Sequence, residues 1–380
     1  LEKLTLSAIH KPANSDIYTT LMAEFVQKFS QVVMPESMPH LFLVSGGALA
    51  VENALKTAFD WKVQKNLARM GKLADSKTEF IHGLGSKVIH FKEAFHGRSG
   101  YTLSLTNTSD PRKHKYFPKF DWPRIVNPKL SFPATDQVLE GVKKIEDIAV
   151  AQIEMAVHQY PGDIAALILE PIQGEGGDNH FRPEFIQTLR RLAEKHEFLL
   201  IFDEIQSGIG LTGKMWAYEH YGVEPDIIAF GKKTHVCGII GGKRIDEVKN
   251  NVFVESSRIN STFGGNLVDM VRCTRILEII EEEKLIEHTA RMGDVMLDGL
   301  ESIAAESKEV VSNVRGKGLM IAFDLPDQAK RDTMLDSMFE NCLLAMKSGD
   351  HSIRFRGMLD TPKEAINKAL EIVAKSIPEK

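Results

Sequence analysis

Four short segments set chemically capable residues beside runs that read as buried strands or helix starts. The run PDIIAFGKK, residues 225–233, ends in Lys232 and Lys233. An amine at the end of a buried strand is desolvated, and a neighbouring cation lowers its proton affinity further. Both effects favour the neutral nucleophile that Schiff-base chemistry needs. If the backbone stays extended, the two side chains point to opposite sides. A second run, FLLIFDEIQ at 198–206, ends its apolar stretch in Asp203. In open parallel sheets the ligand crevice lies at the carboxyl ends of the strands. A carboxylate there can hold a pyridinium nitrogen protonated, so that the ring remains an electron sink. The plainer alternative is an N-cap for the next turn. Glu204 is the weaker partner, since adjacent strand residues face opposite ways.

The other two segments suit a ligand's anionic groups. Ser45-Gly46-Gly47-Ala48 joins the strand-like LFLV to the helix-like ALAVENALKTAFDWK. A glycine turn that opens a helix offers free N–H groups and the positive end of the helix dipole, which suits phosphate. Alone, it is equally a tight turn with a cap. In FKEAFHGRSG, residues 91–100, Phe95 can lie flat on a ring and Arg98 can grip a carboxylate with two hydrogen bonds. Equally, Phe95 can be core and Arg98 a surface ion pair. Lys232 follows Asp203 by about one strand–loop–strand excursion, which would set both at one edge of neighbouring strands.

The elements needed to position these residues are legible. Leu41–Val44, Val88–Phe91, Ile164–Leu169, Phe198–Phe202, Ile227–Phe230 and Gly238–Ile240 read as strands, several of them apolar on both faces. Ala48–Lys65, Pro183–Lys195, Leu267–Lys284 and Thr289–Ser307 read as helices. Strands alternating with helices predict an α/β fold. The expected division is an N-terminal segment at 1–30, a large domain at 31–265 and a smaller α+β domain at 266–380. Residues 70–86 and 126–140 read as surface loops.

Composition narrows the function class. With 380 residues the chain exceeds what one core usually serves. A net charge of -5 without a Lys/Arg block argues against nucleic acid and anionic membrane as partners. Three scattered cysteines, Cys237, Cys273 and Cys342, argue against a disulfide framework and for reduced thiols in the cytoplasm. No apolar stretch has the roughly 20 residues of a membrane helix. The opening LEKLTLSAIHKPANSD lacks the apolar core of a signal peptide.

Taken together, SGGALAVENALK, FHGRSG, EPIQGEGG, FDEIQSGIGLTG, PDIIAFGKK, NSTFGGN and IRFR resemble the class III (ω-amino) aminotransferases, pyridoxal-phosphate enzymes of fold type I. They run in that family's order from Ser45 to Arg356. The resemblance implies a large domain with a mostly parallel mixed sheet, a smaller C-terminal domain, and pyridoxal 5'-phosphate as cofactor. It implies that Lys232 holds the cofactor and then moves the proton between Cα and C4′. Asp203 would hold the ring N–H, Gln206 would approach the phenolic oxygen, and Phe95 would stack on the ring. Gly47 and Ala48 would bind the phosphate, with Thr262 of a second subunit completing the cup in a homodimer. Arg354 would grip the α-carboxylate of 2-oxoglutarate, and Glu175 would cover Arg354 when an ω-amine donor is bound. Asn260 and Arg98 would contact the donor's α-carboxylate end. Within the family, GGALAVENALK, FPKFDWPRI and FGKKTHVCG are similar to the subgroup that moves the ε-amine of L-lysine to 2-oxoglutarate, a reaction of lysine catabolism. Ornithine, acetylornithine and 4-aminobutyrate are the alternative donors. His235 and the GML that follows IRFR depart from the usual pattern; His235 reads as a tolerated polar residue.

Two remoter readings stand beside this one. Gly208–Gly213 matches G-x-G-x-x-G, but it does not directly follow the strand end, so a NAD-dependent oxidoreductase is disfavoured. A non-catalytic cofactor-binding protein would lack the lysine, aspartate or arginine. The 13 histidines include no H-E-x-x-H or Cys/His cluster, so no metal is expected.

Overall fold

The computed structural model describes residues 1–71, 83–307 and 310–378. Seven strands form the principal sheet: β1 (His40–Val44), β2 (Lys87–Phe91), β3 (Arg124–Ile125), β4 (Ile164–Leu169), β5 (Leu199–Asp203), β6 (Ile227–Phe230) and β7 (Cys237–Gly241). Their order is β1-β7-β6-β5-β4-β2-β3. The six expected strands are all present. From β3 to β6 every pairing is parallel, whereas β7 runs antiparallel to both β6 and β1. The carboxyl ends of β2, β4, β5 and β6 therefore meet at one edge.

Nearly every residue of β4, β5 and β6 is buried, because helices cover both faces. The two helices nearest the N-terminus are α1 (Glu2–Ile9) and α2 (Thr20–Val32). The long α3 (Gly47–Arg69) packs Val51, Leu55, Ala58 and Trp61 against Ile168, Ile201 and Ala229 on one face. The short α4 (Gly100–Leu105) follows β2, and α5 (Asp136–Gln159) follows β3. On the opposite face α2, α5, α6 (Pro183–Lys195) and α7 (Leu267–Glu282) cover Leu167, Leu200, Phe202 and Ile228. The two faces take alternate residues of each strand, as the pleat requires.

Three expectations need correction. Residues 126–140 are not wholly loop: α5 begins at Asp136, where the Thr135 side chain caps Val138 N–H. Helix α3 continues four residues past Lys65. The helix expected from Thr289 begins at Leu285, directly after Lys284 takes a left-handed turn at φ +50°. Of the loop expected at 70–86, residues 72–82 lie outside the described residues.

The C-terminal part has its own layer. Helix α8 (Leu285–Glu306) leads into β8 (Ser312–Lys317) and β9 (Met320–Asp324), then α9 (Gln328–Glu340), β10 (Met346–Ser348), β11 (Ser352–Arg356) and α10 (Lys363–Lys375). The antiparallel order β10-β11-β9-β8 closes a core around Leu300, Met320, Phe323, Met334 and Ile353. Ile172 and Leu211, from loops of the principal sheet, enter the same core.

Candidate active site

The site lies where β4, β5 and β6 end. Asp203 is the last residue of β5 and pairs in register with Ala229 of β6, three residues before Lys232. After β6 the chain does not stay extended: Lys232 has φ +52° and His235 φ +60°. Left-handed backbone at non-glycine residues costs on the order of 1–2 kcal/mol and is tolerated where the surroundings fix it. The turn brings both lysines to one cavity, against the expectation that they would point apart. The Lys233 Nζ donates to the carbonyl of Gln206 at 2.7 Å. Burial, then the Lys232 charge, lowers its pKa to about 7.

The cavity has a volume of about 730 Å³. Lys232, Gln206, Arg354 and His235 line it together with apolar side chains of α7, such as Ile276 and Ile279. The Lys232 side chain is open to solvent at the cavity mouth, yet the protein packed around it lowers its pKa by desolvation. Asp203 and Glu170 pull it back up, and Arg354 and Arg356 push it down. These four charged groups therefore surround the amine.

Asp203 is buried behind this cavity. Its Oδ2 lies 2.8 Å from His96 Nδ1, and its Oδ1 accepts from Ile205 N–H at 3.2 Å. His96 is 2 % exposed, and its Nε2 has no partner among the described residues. Glu170, beyond the end of β4, accepts from Phe95 N–H at 2.9 Å and Gly174 N–H at 3.1 Å. Burial raises its pKa to about 7. His96 and Glu170 were not among the expected site residues, although FHGRSG and EPIQGEGG contain them.

The glycine turn abuts the lysine turn because β1 and β7 pair, with Val44 opposite Cys237. Gly46, at φ +105°, precedes the first turn of α3, which has neither a side-chain cap nor an acidic residue. Its N–H groups are thus available to an anion. Ile205 stands between the two turns: a Cβ on Gly47 would meet it at 3.1 Å, and one on Gly231 at 3.6 Å. The FHGRSG loop is held against the same helix. A Cβ on Gly97 would come within 2.8 Å of that of Ala48, and the Ser99 hydroxyl donates to Glu52 at 2.7 Å. Phe95 is half-buried, while Arg98 is exposed with its guanidinium 6.0 Å from the Phe95 ring centre.

Arg354 lies on β11 and is 8 % exposed. Its Nη2 donates to Glu175 Oε2 at 2.6 Å, while Nε and Nη1 have no partner among the described residues. Glu175 also accepts from Lys113. Burial raises the Glu175 pKa, but these two cations more than offset it and hold the group ionised. Arg356, two residues on, donates to Gln206 Oε1 from Nε at 3.0 Å and from Nη2 at 2.8 Å. Gln206 is therefore held by the small sheet, with its amide N–H groups turned away from that arginine. Asn260 and Thr262 are not brought to this cavity. Both lie exposed on the 251–266 segment, where Ser15 donates to the Thr262 carbonyl at 3.0 Å.

These residues suit a phosphate-bearing pyridine aldehyde. An uncapped helix start would suit the phosphate, a buried carboxylate the ring nitrogen, and a desolvated amine the aldehyde. No group of three or more metal-ligating side chains occurs among the described residues. Gly208–Gly213 forms irregular turns and does not open a helix.

The family model for class III aminotransferases matches residues 6–377. The L-lysine-epsilon aminotransferase of Amycolatopsis lactamdurans is 48% identical over 376 residues, covering 99% of this chain and 81% of that protein. A 4-aminobutyrate aminotransferase of Emericella nidulans is 32% identical, over 99% and 76% of the two chains. The structure of the lysine aminotransferase from M. tuberculosis in the internal aldimine form superposes with a TM-score of 0.94 at 47% identity, covering 99% of this chain and 84% of that one.

Proposed function

The chain belongs to the class III aminotransferases, which use pyridoxal phosphate, and we propose that it transfers the ε-amino group of L-lysine to 2-oxoglutarate. The products are 2-aminoadipate 6-semialdehyde and glutamate. The observation that carries this reading is the pairing of buried Arg354 with Glu175 in front of Lys232. An enzyme that takes both a terminal amine and an α-carboxylate at one reacting position needs an arginine it can neutralise. An unpaired buried guanidinium carries a large desolvation cost, which a nearby carboxylate offsets. The higher identity to lysine-specific relatives than to the 4-aminobutyrate enzyme supports lysine as donor. One methylene in a pocket is worth only about 1–3 kcal/mol, so ornithine and 4-aminobutyrate are the comparisons that matter.

Each residue has a task. Lys232 holds the cofactor, and its Nζ then takes the proton from the donor's reacting carbon and returns it. Its lowered pKa increases the neutral fraction that can act as base. Asp203, oriented by His96, would keep a ring nitrogen protonated, and the Gly47–Ala48 turn would receive the phosphate. When bound, the cofactor supplies an electron sink for the carbon that loses its proton. Phe95 would offer its face to the bound ring, and the Gln206 amide, whose oxygen Arg356 holds, would offer an N–H to it. Arg354 takes the acceptor's α-carboxylate once Glu175 withdraws, while Arg98 and Asn260 meet the donor's own α-carboxylate. Thr262 and Asn260, exposed and apart from their own cavity, serve the site of a second copy in a homodimer. No helix among the described residues is long and apolar enough to cross a membrane. Free thiols at Cys237, Cys273 and Cys342 fit a cytoplasmic enzyme of lysine catabolism.

The test is the absorbance of the protein loaded with pyridoxal phosphate, recorded before and after L-lysine alone. Loss of the lysine-bound cofactor band, and its return with 2-oxoglutarate, is the expected result. If ornithine or 4-aminobutyrate bleaches the band and L-lysine does not, the donor assignment is wrong. Lys232→Ala is expected to remove both the band and turnover; persistent turnover would move the assignment to Lys233.

A further inference from the structure

Glu175 is gripped from two sides. Arg354, on one side, belongs to the Lys232 cavity. Lys113, on the other, shares with Glu175 a second cavity of about 640 Å³, which Arg112, Arg331 and Lys347 also line. The carboxylate thus lines the outer cavity and reaches the inner one through Arg354, with a cation on each side. Its backbone is not free to follow a substrate. Gly349 N–H donates to the Glu175 carbonyl at 3.1 Å, and the Ser348 hydroxyl donates to the Gly174 carbonyl at 2.7 Å. Gly176 lies so near Glu93 that a Cβ would sit 2.0 Å from the Glu93 carbonyl oxygen. Movement of this carboxylate is therefore side-chain rotation.

We propose that Lys113 is a specificity-determining positioning residue, which holds Glu175 in the outer cavity while a substrate α-carboxylate occupies Arg354. The proposal rests on the reading of Glu175 as the cover of Arg354. A displaced carboxylate with no partner would be a half-buried, unpaired charge, and that cost would be charged against every α-carboxylate substrate. Lys113 removes the cost because its contact exists before displacement. Of the other cations lining the outer cavity, Arg112 pairs with Asp110 and Arg331 with Asp332 and the Asp350 carbonyl, while Lys347 is exposed and is not among the hydrogen-bond partners of Glu175. Without Lys113, Arg354 is the one side-chain partner that Glu175 keeps among the described residues, and the carboxylate stays on it. Lysine, which reacts with the cover in place, is spared; glutamate and 2-oxoglutarate, which must lift it, are not.

The experiment separates the half-reactions on the holoenzyme by single-turnover absorbance, with L-lysine alone and with glutamate alone. Lys113→Met is expected to raise the apparent Kd for glutamate about tenfold with little change in limiting rate, the loss of one charge-assisted hydrogen bond. The value for L-lysine is expected to stay within about twofold by the same arithmetic. Lys113→Arg restores glutamate binding. Lys113→Gln replaces Lys113→Met if the latter lowers the melting temperature. Equal weakening of both substrates, weakening of L-lysine alone, or no effect on glutamate overturns the proposal. Glu175→Gln serves as the control: it is expected to impair the L-lysine half-reaction more than the glutamate one. If it does and Lys113→Met does not discriminate, the role of Lys113 alone is refuted. If Glu175→Gln changes both alike, the cover itself is refuted and the proposal falls with it.

Discussion

His96 and Asp203 are 107 positions apart in the chain and 2.8 Å apart in the fold. With Nδ1 toward the carboxylate and a buried, unpartnered Nε2, His96 fixes the direction in which Asp203 presents its remaining lone pairs. His96→Gln is expected to lower kcat/KM about tenfold, the equivalent of ~1.4 kcal/mol for one hydrogen bond to a charged group. The absorbance maximum of the bound cofactor is expected to shift with it if, as proposed, Asp203 holds the ring nitrogen protonated; an unchanged spectrum and rate would assign His96 to packing alone. Residues of this kind are the ones a single sequence hides. Asp203 and Lys232 announce themselves because each ends an apolar run. His96, Glu170 and Lys113 do not, because what makes each one special is a partner brought from another strand end. Arg356 was within reach: it stands two positions from Arg354 on a strand, so both side chains leave the same face.

At the scale of elements, the turn before α3 shows how backbone geometry and binding are linked. Gly46 has φ +105° and ψ +133°, a region that side-chain-bearing residues rarely enter, although a Cβ there would find nothing within 4 Å. Gly46→Ala therefore tests strain without steric clash. It is expected to cost about 1–3 kcal/mol of stability and to weaken pyridoxal phosphate binding, as read by a thermal melt and a fluorescence titration. Retained affinity would mean that the phosphate does not use this turn. The strands were legible because burial on both faces makes them continuous apolar runs. Helix α5 was not, because its amphipathic register begins only after a proline-containing loop and its buried positions include Glu146, which Arg182 neutralises at 2.9 Å. The left-handed turn at Lys232 was not legible either. Nothing in GKKTH marks a positive φ, which the antiparallel return of β7 imposes.

Over the whole molecule, buried ionisable groups set how stability follows pH. Burial raises Glu204 from 4.5 to about 7, with Ser207 and Tyr218 N–H as partial compensation. The folded chain keeps that proton between pH 4.5 and about 7 while the unfolded chain releases it. The group's contribution is thus complete below 4.5 and is lost as pH rises through about 7. His90 and His180, lowered by burial to about 3, and His220, lowered to about 4, act in the opposite sense across the acid range, since unfolding lets them take up protons. The clean observable is a difference: the melting temperature of Glu204→Gln minus that of the parent is expected to rise steadily from pH 4.5 to 7. A flat difference would show that Glu204 ionises normally in the fold.

One feature of the topology has a kinetic consequence. β1 is an edge strand of the principal sheet and is paired to β7 alone, yet it leads into the turn proposed to receive the phosphate, and β7 returns directly from Lys232. A molecule gripping both turns ties the free margin of the sheet to its interior, linking stretches of chain that the sequence keeps far apart. Loading with cofactor is then equivalent to a reversible cross-link. In its absence β1 is the strand expected to fray first, and its amides to exchange with solvent ahead of those in β4 and β5.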